Sequence, residues 1–599
     1  MKTITPFKRN LTTLLLTATI VGCSSYSGQS TTDSNSSAVV PQTPDTTTQS
    51  IMEYEYKEVR SVENRAVPMA HLLKQEHDRV ALGKEKKVIA MEMMAPSKHR
   101  VMSQAMASAE VSGHYLADQM IDSNSGIDRE QFAEIIANGI KRVSEDPVST
   151  LSIDVDSGAY SLVRRNLNQG VMPRTDMVRI EEMINYFDYS YPQPEKGGAP
   201  FSVTTEVSKS PWNSNSHLVH VGIQGIDTDK AHRPASNLVF LIDVSGSMGA
   251  SNKLPLLKSA FKLLVKQLNE KDRVTMVVYA GASGVVLEST SGNEQGKIIA
   301  ALDRLNAGGS THGSAGINLA YAMAEQAKIE GGINRVILAT DGDFNVGTVN
   351  HTQLMDLIEA KRKAGISLTT LGFGSGNYND HLMEQLADKG NGNYAYIDNI
   401  NEAQKVLVDE LTSTLKTIAK DVKIQVEWNP AVVSEYRLIG YNNRLLNRED
   451  FNNDKIDAGE IGAGHSVTAL YEVTLANSDQ PRIDPLRYQR EERTSDENNT
   501  DEIAFLRLRY KEPDADHSKL IEQVISHESI THNINQTSDN YRFSAAVAGF
   551  GQLLRGGQYT GQFDYAAVKQ LASGARGQDE FGYRGEFVRL VNLASGLSL

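Results

Sequence analysis

The chain reads as an α/β protein built on a doubly wound, mostly parallel sheet, with flanking β-rich segments and a helical C-terminal region. Three observations predict it. Residues 236–418 alternate short apolar, β-branched runs with amphipathic helical stretches, the pattern of a sheet wound by right-handed crossovers. After residue 420 the apolar period drops to two, the mark of half-buried antiparallel strands. From residue 541 helical spacing returns, with Gly556, Gly557 and Gly574 as stops.

At 599 residues the chain is too long for one hydrophobic core, and length alone suggests roughly three or four domains of about 150 residues. Its apolar content of 40% supports a folded protein. The 60 basic residues against 74 acidic ones give a net charge of -14, which leaves no basic stripe on which a nucleic acid is neutralised. Lys2, Lys8 and Arg9 precede an apolar segment at 11–21 that is too short to span a membrane as a mature helix, so residues 1–22 read as an export signal. The signal ends in Ile20-Val21-Gly22-Cys23, and Cys23 is the single cysteine of the chain, which excludes an intramolecular disulfide. That ending resembles the bacterial lipobox, whose cysteine receives lipid and becomes the new N-terminus. The resemblance implies a lipoprotein anchored to the membrane through Cys23. Ser24 after the cysteine implies the outer membrane of a Gram-negative bacterium, facing the periplasm or the cell surface. Residues 23–140 form a mostly disordered tether: 24–50 are rich in Ser, Thr, Gln, Asn and Pro and bury too little to offset ordering, and 51–140 are charged and Met-rich without sustained periodicity.

Order is expected from about residue 141. In the flank 141–235, residues 148–155 alternate as a strand. Met177, Ile180, Ile184 and Phe187 recur at helical spacing over 175–187, and strands follow at 201–207 and 218–225. The central unit, 236–418, opens with an apolar strand. Its first helix, 252–268, carries Leu254, Leu257, Phe261, Leu264 and Leu268 on one stripe. Strands at 273–279 and 285–288 follow, then helices at 294–305 and 314–328 and a strand at 335–340. Helix 352–364, strand 366–372, helix 381–389, strand 394–397 and helix 402–418 close the unit. In the last region, 419–599, Val422, Ile424, Val426 and Trp428 face one way and Lys423, Gln425 and Glu427 the other. Strands at 469–475 and 506–510 flank a charged loop at 476–500, and helices occupy 541–554 and 587–593.

The chemistry concentrates where the first strand of the central unit ends. Leu238-Val-Phe-Leu-Ile-Asp-Val-Ser-Gly-Ser-Met248 passes from a buried strand into a loop bearing Asp243, Ser245 and Ser247 at i, i+2 and i+4. Hard oxygen donors so close together on a turn suit magnesium. Two more oxygen-rich loops belong to the same sheet edge, beyond the carboxyl ends of the strands, where such folds bind ligands. Gly308-Gly-Ser-Thr-His-Gly-Ser314 presents Thr311, and Ala339-Thr-Asp-Gly342 presents Asp341. No His-Glu-x-x-His motif that would activate a metal-bound water accompanies them.

Asp-x-Ser-x-Ser, then Gly-Gly-x-Thr, then Thr-Asp-Gly after a strand resembles the metal-ion-dependent adhesion site of the von Willebrand factor type A domain, over residues 236–418. The resemblance implies that Asp243, Ser245, Ser247, Thr311 and Asp341 hold Mg2+, with Mn2+ or Ca2+ as substitutes. In that family the serines ligate directly, the threonine directly or through water, and the aspartates largely through water. Neutral hydroxyls leave a divalent ion electrophilic toward a carboxylate from another molecule, which favours binding over hydrolysis. Ser152-Ile-Asp-Val-Asp156, Arg179-Ile-Glu-Glu-Met-Ile-Asn-Tyr-Phe187 and Asp454-Lys-Ile-Asp-Ala-Gly-Glu460 in turn resemble the flanking segments of bacterial YfbK-type lipoproteins, whose flanks have no assigned chemistry.

Asp154-Val-Asp-Ser157 lacks the serine pair and reads as a turn or cap. The acidic stretch 447–460 lacks the glycine and the final glutamate of a calcium loop and reads as a solvated turn. The methionines at 91–94 lack interleaved histidines, and His312 reads as a solvated rim histidine. The expectation is an envelope lipoprotein, not an enzyme, that binds a protein ligand offering Asp or Glu to the metal. Two alternatives stay open: a scaffold in envelope assembly whose occupied site no partner uses, and an enzyme with chemistry hidden in the tail.

Overall fold

The computed structural model describes residues 129–228, 233–311, 313–342, 344, 351–478, 480–484, 486 and 501–598. The export signal, Cys23, the tether through residue 128, Met91 to Met94 and His312 lie outside the described residues, as do 487–500 of the charged loop. Among the described residues no helix is long and apolar enough to cross a membrane.

The N-terminal flank supplies β1 (Lys141–Arg142), β2 (Val148–Ser152), β3 (Phe201–Lys209) and β4 (His217–Gly225), with helices Gly158–Asn168 and Ile180–Asn185 between β2 and β3. The central unit contributes β5 (Ser236–Asp243), β6 (Arg273–Tyr279), β7 (Ser283–Ser291), β8 (Ile333–Thr340), β9 (Ser367–Phe373) and β10 (Tyr394–Ile397). The C-terminal flank adds β11 (Thr417–Trp428), β12 (Val433–Ile439), β13 (Gly459–Gly462), β14 (Ser466–Leu475), β15 (Glu502–Lys511), β16 (Ser518–Ser526) and β17 (Ile530–Thr531). Helices Asp539–Leu554, Tyr565–Ser573 and Tyr583–Leu597 end the chain.

The central sheet runs β10-β9-β8-β5-β6-β7, parallel throughout except where β7 pairs antiparallel with β6. This is the doubly wound α/β fold. All eight residues of β5 are buried because helices cover both faces. Leu238, Phe240 and Ile242 pack on the helix Leu254–Val265, and Val239 and Leu241 pack on the helix Gly313–Gln326. Winding reverses at β5: the chain leaves it for β6 on one side and later returns to β8 on the other. That makes the carboxyl end of β5 the ligand crevice of the fold.

The two flanks interleave. One sheet runs β1-β12-β14-β4-β3-β17; in the other, β11 lies between β15 on one edge and β2 and β13 on the opposite edge, with β16 outside β15. Their inner faces meet in a shared core that includes Val221, Ile424, Trp428, Tyr436, Tyr471 and Leu506. The outer face of the first sheet, through Leu218, Ile439 and Leu470, carries the five helices named above.

Three buried arginines and the half-buried Arg444 tie the flanks to the central unit. Arg179 bridges Glu182 (3.0 Å), Asp380 (2.6 Å) and Glu384 (2.9 Å). Arg444 reaches Asp388 (2.7 Å) and Glu384 (3.2 Å) as well as Asp154 and Asp156 (both 3.3 Å). Arg164 holds Asp398, Glu402 (2.8 Å) and Glu586 (3.0 Å), and Arg165 donates to Tyr396 Oη (2.6 Å) and Gly374 O (3.3 Å) while pairing with Glu130 (2.6 Å).

Several sequence expectations change in detail. The helix expected over 175–187 divides into a short turn, Thr175–Met177, and the helix Ile180–Asn185, while Gly158–Asn168 is a helix that the apolar spacing did not announce. The helix expected over 402–418 begins at Ile400, loosens into a π-helical turn where Glu410 N donates to Lys405 O (2.9 Å), and yields to β11 at Thr417. Lys423 and Gln425, expected on a solvated face, are 2% exposed. The segment after Asn447 covers them, Lys423 Nζ donating to the carbonyls of Asp450 (3.0 Å) and Asn453 (2.7 Å). β16 and the helix Tyr565–Ser573 were not expected. β16 alternates half-buried and exposed residues and carries little apolar signal.

The stretches set aside as metal loops are structural. Asp154 Oδ1 accepts from Asp156 N (2.9 Å) in a turn. In 447–460, Asn447 and Asp450 cap a short helix while Asp454 accepts from Arg509 at 2.9 Å.

Candidate metal centre

Three loops meet at the carboxyl end of β5. Register places Asp243 opposite Tyr279 of β6 and Ile242 opposite Ala339 of β8, so Asp341, just past β8, emerges beside Asp243. Both carboxylates are fully buried. Asp243 Oδ1 accepts from Ser245 N (2.8 Å), which folds the loop back over its own strand end. Asp243 Oδ2 accepts from Tyr279 Oη (3.1 Å) and Thr340 Oγ1 (3.0 Å). The hydroxyls of Ser245 and Ser247 lie 3.0 Å apart. Ser245 is buried, whereas Ser247 is exposed at the rim.

The second loop is held by main-chain bonds. Gly308 N donates to Val244 O (2.7 Å) and Gly246 N to Gly309 O (3.0 Å), so residues 308–309 dock on the Asp243 loop. Gly309 has φ +84°, and a Cβ there would sit 3.3 Å from Gly281 N, so the turn favours glycine. Thr311 follows, half-buried, just before the helix Gly313–Gln326. The third loop turns at Gly342, whose φ is +91° and whose missing Cβ leaves room for Asn379 N and Tyr378. Gly342 N donates to Thr340 Oγ1 (3.2 Å).

Burial pushes the Asp243 carboxyl up from the ordinary carboxylate range and the neighbouring Asp341 adds to the rise, against the hydrogen bonds from Ser245 and Thr340. Two buried carboxylates at one strand-end crevice, with two serine hydroxyls beside them, make an all-oxygen, doubly negative donor set. Such a set fits a hard divalent cation and not a soft one. Among the described residues no group of three or more His, Cys, Asp or Glu side chains could hold a metal ion, so hydroxyls are needed to complete this centre.

The structure thus brings Asp243, Ser245, Ser247 and Asp341 into one crevice and lays the loop of Thr311 against it. It also adds residues that motif reasoning missed. Tyr279 and Thr340 fix the Asp243 carboxylate. Strand register could have pointed to them, since each ends a strand adjacent to β5. Lys253 Nζ donates to Asp341 Oδ2 (2.8 Å) and Asn377 Nδ2 approaches the same oxygen at 3.4 Å. Neither stands in a recognisable spacing to the motif.

The chain was compared with known proteins on this basis. The model of the von Willebrand factor type A domain matches residues 237–409, a model described as von Willebrand factor matches 126–220, and one described as the C-terminal part of uncharacterized protein YfbK matches 413–597. Uncharacterized protein YfbK of Escherichia coli (strain K12) is 46% identical over 467 residues, covering 77% of this chain and 80% of that protein. Inter-alpha-trypsin inhibitor heavy chain H3 of Homo sapiens is 25% identical over 301 residues, 46% of this chain and 32% of its own length. Among solved structures, the von Willebrand factor type A protein from Catenulispora acidiphila aligns with TM-score 0.38 and 15% identity, covering 66% of this chain and 91% of that one. Nearly half the residues are shared with a protein matched along most of both chains, and so this chain belongs to the YfbK family, with a von Willebrand factor type A domain at its centre.

Proposed function

We propose that the chain binds a protein partner through a magnesium-dependent adhesion site, an Asp or Glu of the partner completing the coordination of the ion. The observation that carries this reading is the crevice at the end of β5, where Asp243, Ser245, Ser247 and Asp341 gather beside the Thr311 loop. Asp243, Ser245, Ser247, Thr311 and Asp341 would hold the ion, which when bound supplies an electrophile for a carboxylate. The chain's own part is to present hydroxyls that do not neutralise the charge, and to hold both carboxylates through Ser245 N, Tyr279, Thr340 and Asn377. Type A domains serve protein interaction, and the match over 237–409 supports that class of function over catalysis.

We further propose that the site is displayed from the outer membrane by lipid on Cys23, on the strength of Lys2, Lys8, Arg9 and the Ile20-Val-Gly-Cys23 ending. Metabolic labelling with a fatty acid, lost in Cys23→Ser, is the expected result.

The central test is calorimetry. Magnesium is expected to bind the wild-type chain and to lose at least about a hundredfold in affinity in Asp243→Ala, since a buried charged donor is removed. An acidic peptide is expected to bind only with magnesium present. Unchanged magnesium binding by Asp243→Ala would overturn the assignment, and peptide capture insensitive to chelator would favour a scaffold with an unused site.

A further inference from the structure

The two carboxylates of the centre have a cation beside them that belongs to the chain. Lys253 stands immediately before the helix Leu254–Val265, with its side chain only 9% exposed. Its Nζ donates to Asp341 Oδ2 at 2.8 Å and to Asn377 Oδ1 at 3.2 Å. The path of its stem is built into the backbone: Gly374 has φ +79°, and a Cβ there would lie 2.4 to 2.8 Å from Lys253 Cε, Cγ and Cδ. A side chain at position 374 would occupy the groove that the lysine uses.

The loop that bears Gly374 and Asn377 is fastened from outside the central unit. Glu130 Oε1 accepts from Gly376 N (2.9 Å), Arg129 N donates to Gly376 O (3.0 Å), and Gln131 N donates to Tyr378 O (2.8 Å). Arg165 Nη1 donates to Gly374 O (3.3 Å) while its Nη2 pairs with Glu130. Residues 129–131, expected in the tether, together with Arg165 of the N-terminal flank therefore hold the wall against which Lys253 lies.

We propose that Lys253 is the resident counter-ion of the centre, a positioning residue that sets how tightly the divalent cation is held and what charge the loaded site presents. The proposal rests on the reading of this crevice as a divalent-cation site. Asp243 and Asp341 together bring two negative charges. With Lys253, these three side chains sum to one negative charge, and with a divalent cation added to one positive charge. The lysine therefore opposes cation binding, stabilises the cation-free crevice, and leaves the loaded crevice attractive to an acidic ligand.

The test combines magnesium titration with thermal unfolding in chelator and in saturating magnesium, on the full-length wild type and Lys253→Met. The variant is expected to bind magnesium about tenfold more tightly or better, since a positive charge next to the ion is gone. It is expected to unfold at least about 3 °C lower than wild type in chelator, and to recover most of that loss in magnesium. Equal magnesium affinity together with equal unfolding temperatures in chelator overturns the proposal. Should Lys253→Met give no folded protein in either condition, Lys253→Gln, which keeps a donor for Asp341 without the charge, is read by the same criteria. Magnesium uptake by wild type with both readouts unmoved in the variant refutes the counter-ion alone. A wild type that takes up no magnesium refutes the metal-centre reading, and the scan in chelator then decides whether Lys253 supports the carboxylate pair.

Discussion

The central unit and the flanking body both bury carboxylates near cations, but they hold them with different partners. At the junction, Arg179 answers Glu182, Asp380 and Glu384, and Arg444 reaches four carboxylates, Glu384 among them, so six acids share two guanidiniums in fixed geometry. At the end of β5, the Lys253 ammonium donates to Asp341, and among the described residues Asp243 accepts from two hydroxyls and a backbone N–H. An acid held directly by a guanidinium makes a fastening, while an acid such as Asp243, held by hydroxyls and a backbone N–H, keeps its charge for an ion. The two regions also differ in how their chain is joined. β5 pairs with β6 and β8 through successive crossovers, whereas β2 pairs with β11 and β4 with β14 across the whole central unit. The central unit is thus inserted between two halves of one sandwich.

Breaking the fastening should have the largest effect. Arg179→Met takes the guanidinium from Glu182 and Asp380 and leaves Glu384 with that of Arg444, and is expected to cost about 3–5 kcal/mol of stability in denaturant titration. Magnesium affinity of the folded fraction should stay within about twofold, because Arg179 touches none of the site residues. A loss below about 1 kcal/mol would mean that the remaining arginines suffice and that the contrast between the regions is overstated.

The joined sandwich is probed next. Leu151→Ala in β2 empties a fully buried position in the core of the opposite flank's strands. It is expected to cost about 2–5 kcal/mol. Hydrogen exchange should show β11 and β15 losing protection together while β5 and β8 keep theirs. Equal loss in both regions would show the molecule to be a single cooperative unit.

The smallest effect concerns pH. Burial, opposed by Arg179 and Arg444, pushes the Glu384 carboxyl up from 4.5 to about 7. A folded-state value above the unfolded one means that the folded chain binds the proton more tightly, so this group's contribution falls as pH rises from the unfolded value to about 7. Glu384→Gln, which removes the titration, should therefore gain stability relative to wild type at pH 8 compared with pH 5 (about, in each case, one thermal scan per pH). A difference between the two chains that does not change with pH would assign Glu384 as ionised throughout.

The central unit was largely legible because its signals are local. Each crossover strand is a contiguous apolar run, and Asp243, Ser245 and Ser247 share one turn, so spacing alone brings their donors together. The helix at 402–418 misled because its apolar spacing continues through a π-helical turn into a strand whose pairing partners lie far away in sequence. Lys423 and Gln425 misled for a related reason: alternation in β11 shows two faces, but only the fold reveals that a loop covers the polar one. Lys253 escaped notice since a lysine before a helix is unremarkable until Gly374 is seen to make way for it.

By itself the sequence determined the winding of the central sheet, the loop on which the three hydroxyl and carboxylate donors stand, and the positions of Thr311 and Asp341 in later loops. Those features follow from backbone periodicity and turn chemistry, which act over a few residues. Tertiary structure decided that Asp341 lies beside Asp243, that Lys253 reaches it, and that Arg129 to Gln131 and Arg165 fasten the wall behind it. Those are encounters between groups far apart along the chain, and only burial and strand register bring their charges within range of one another.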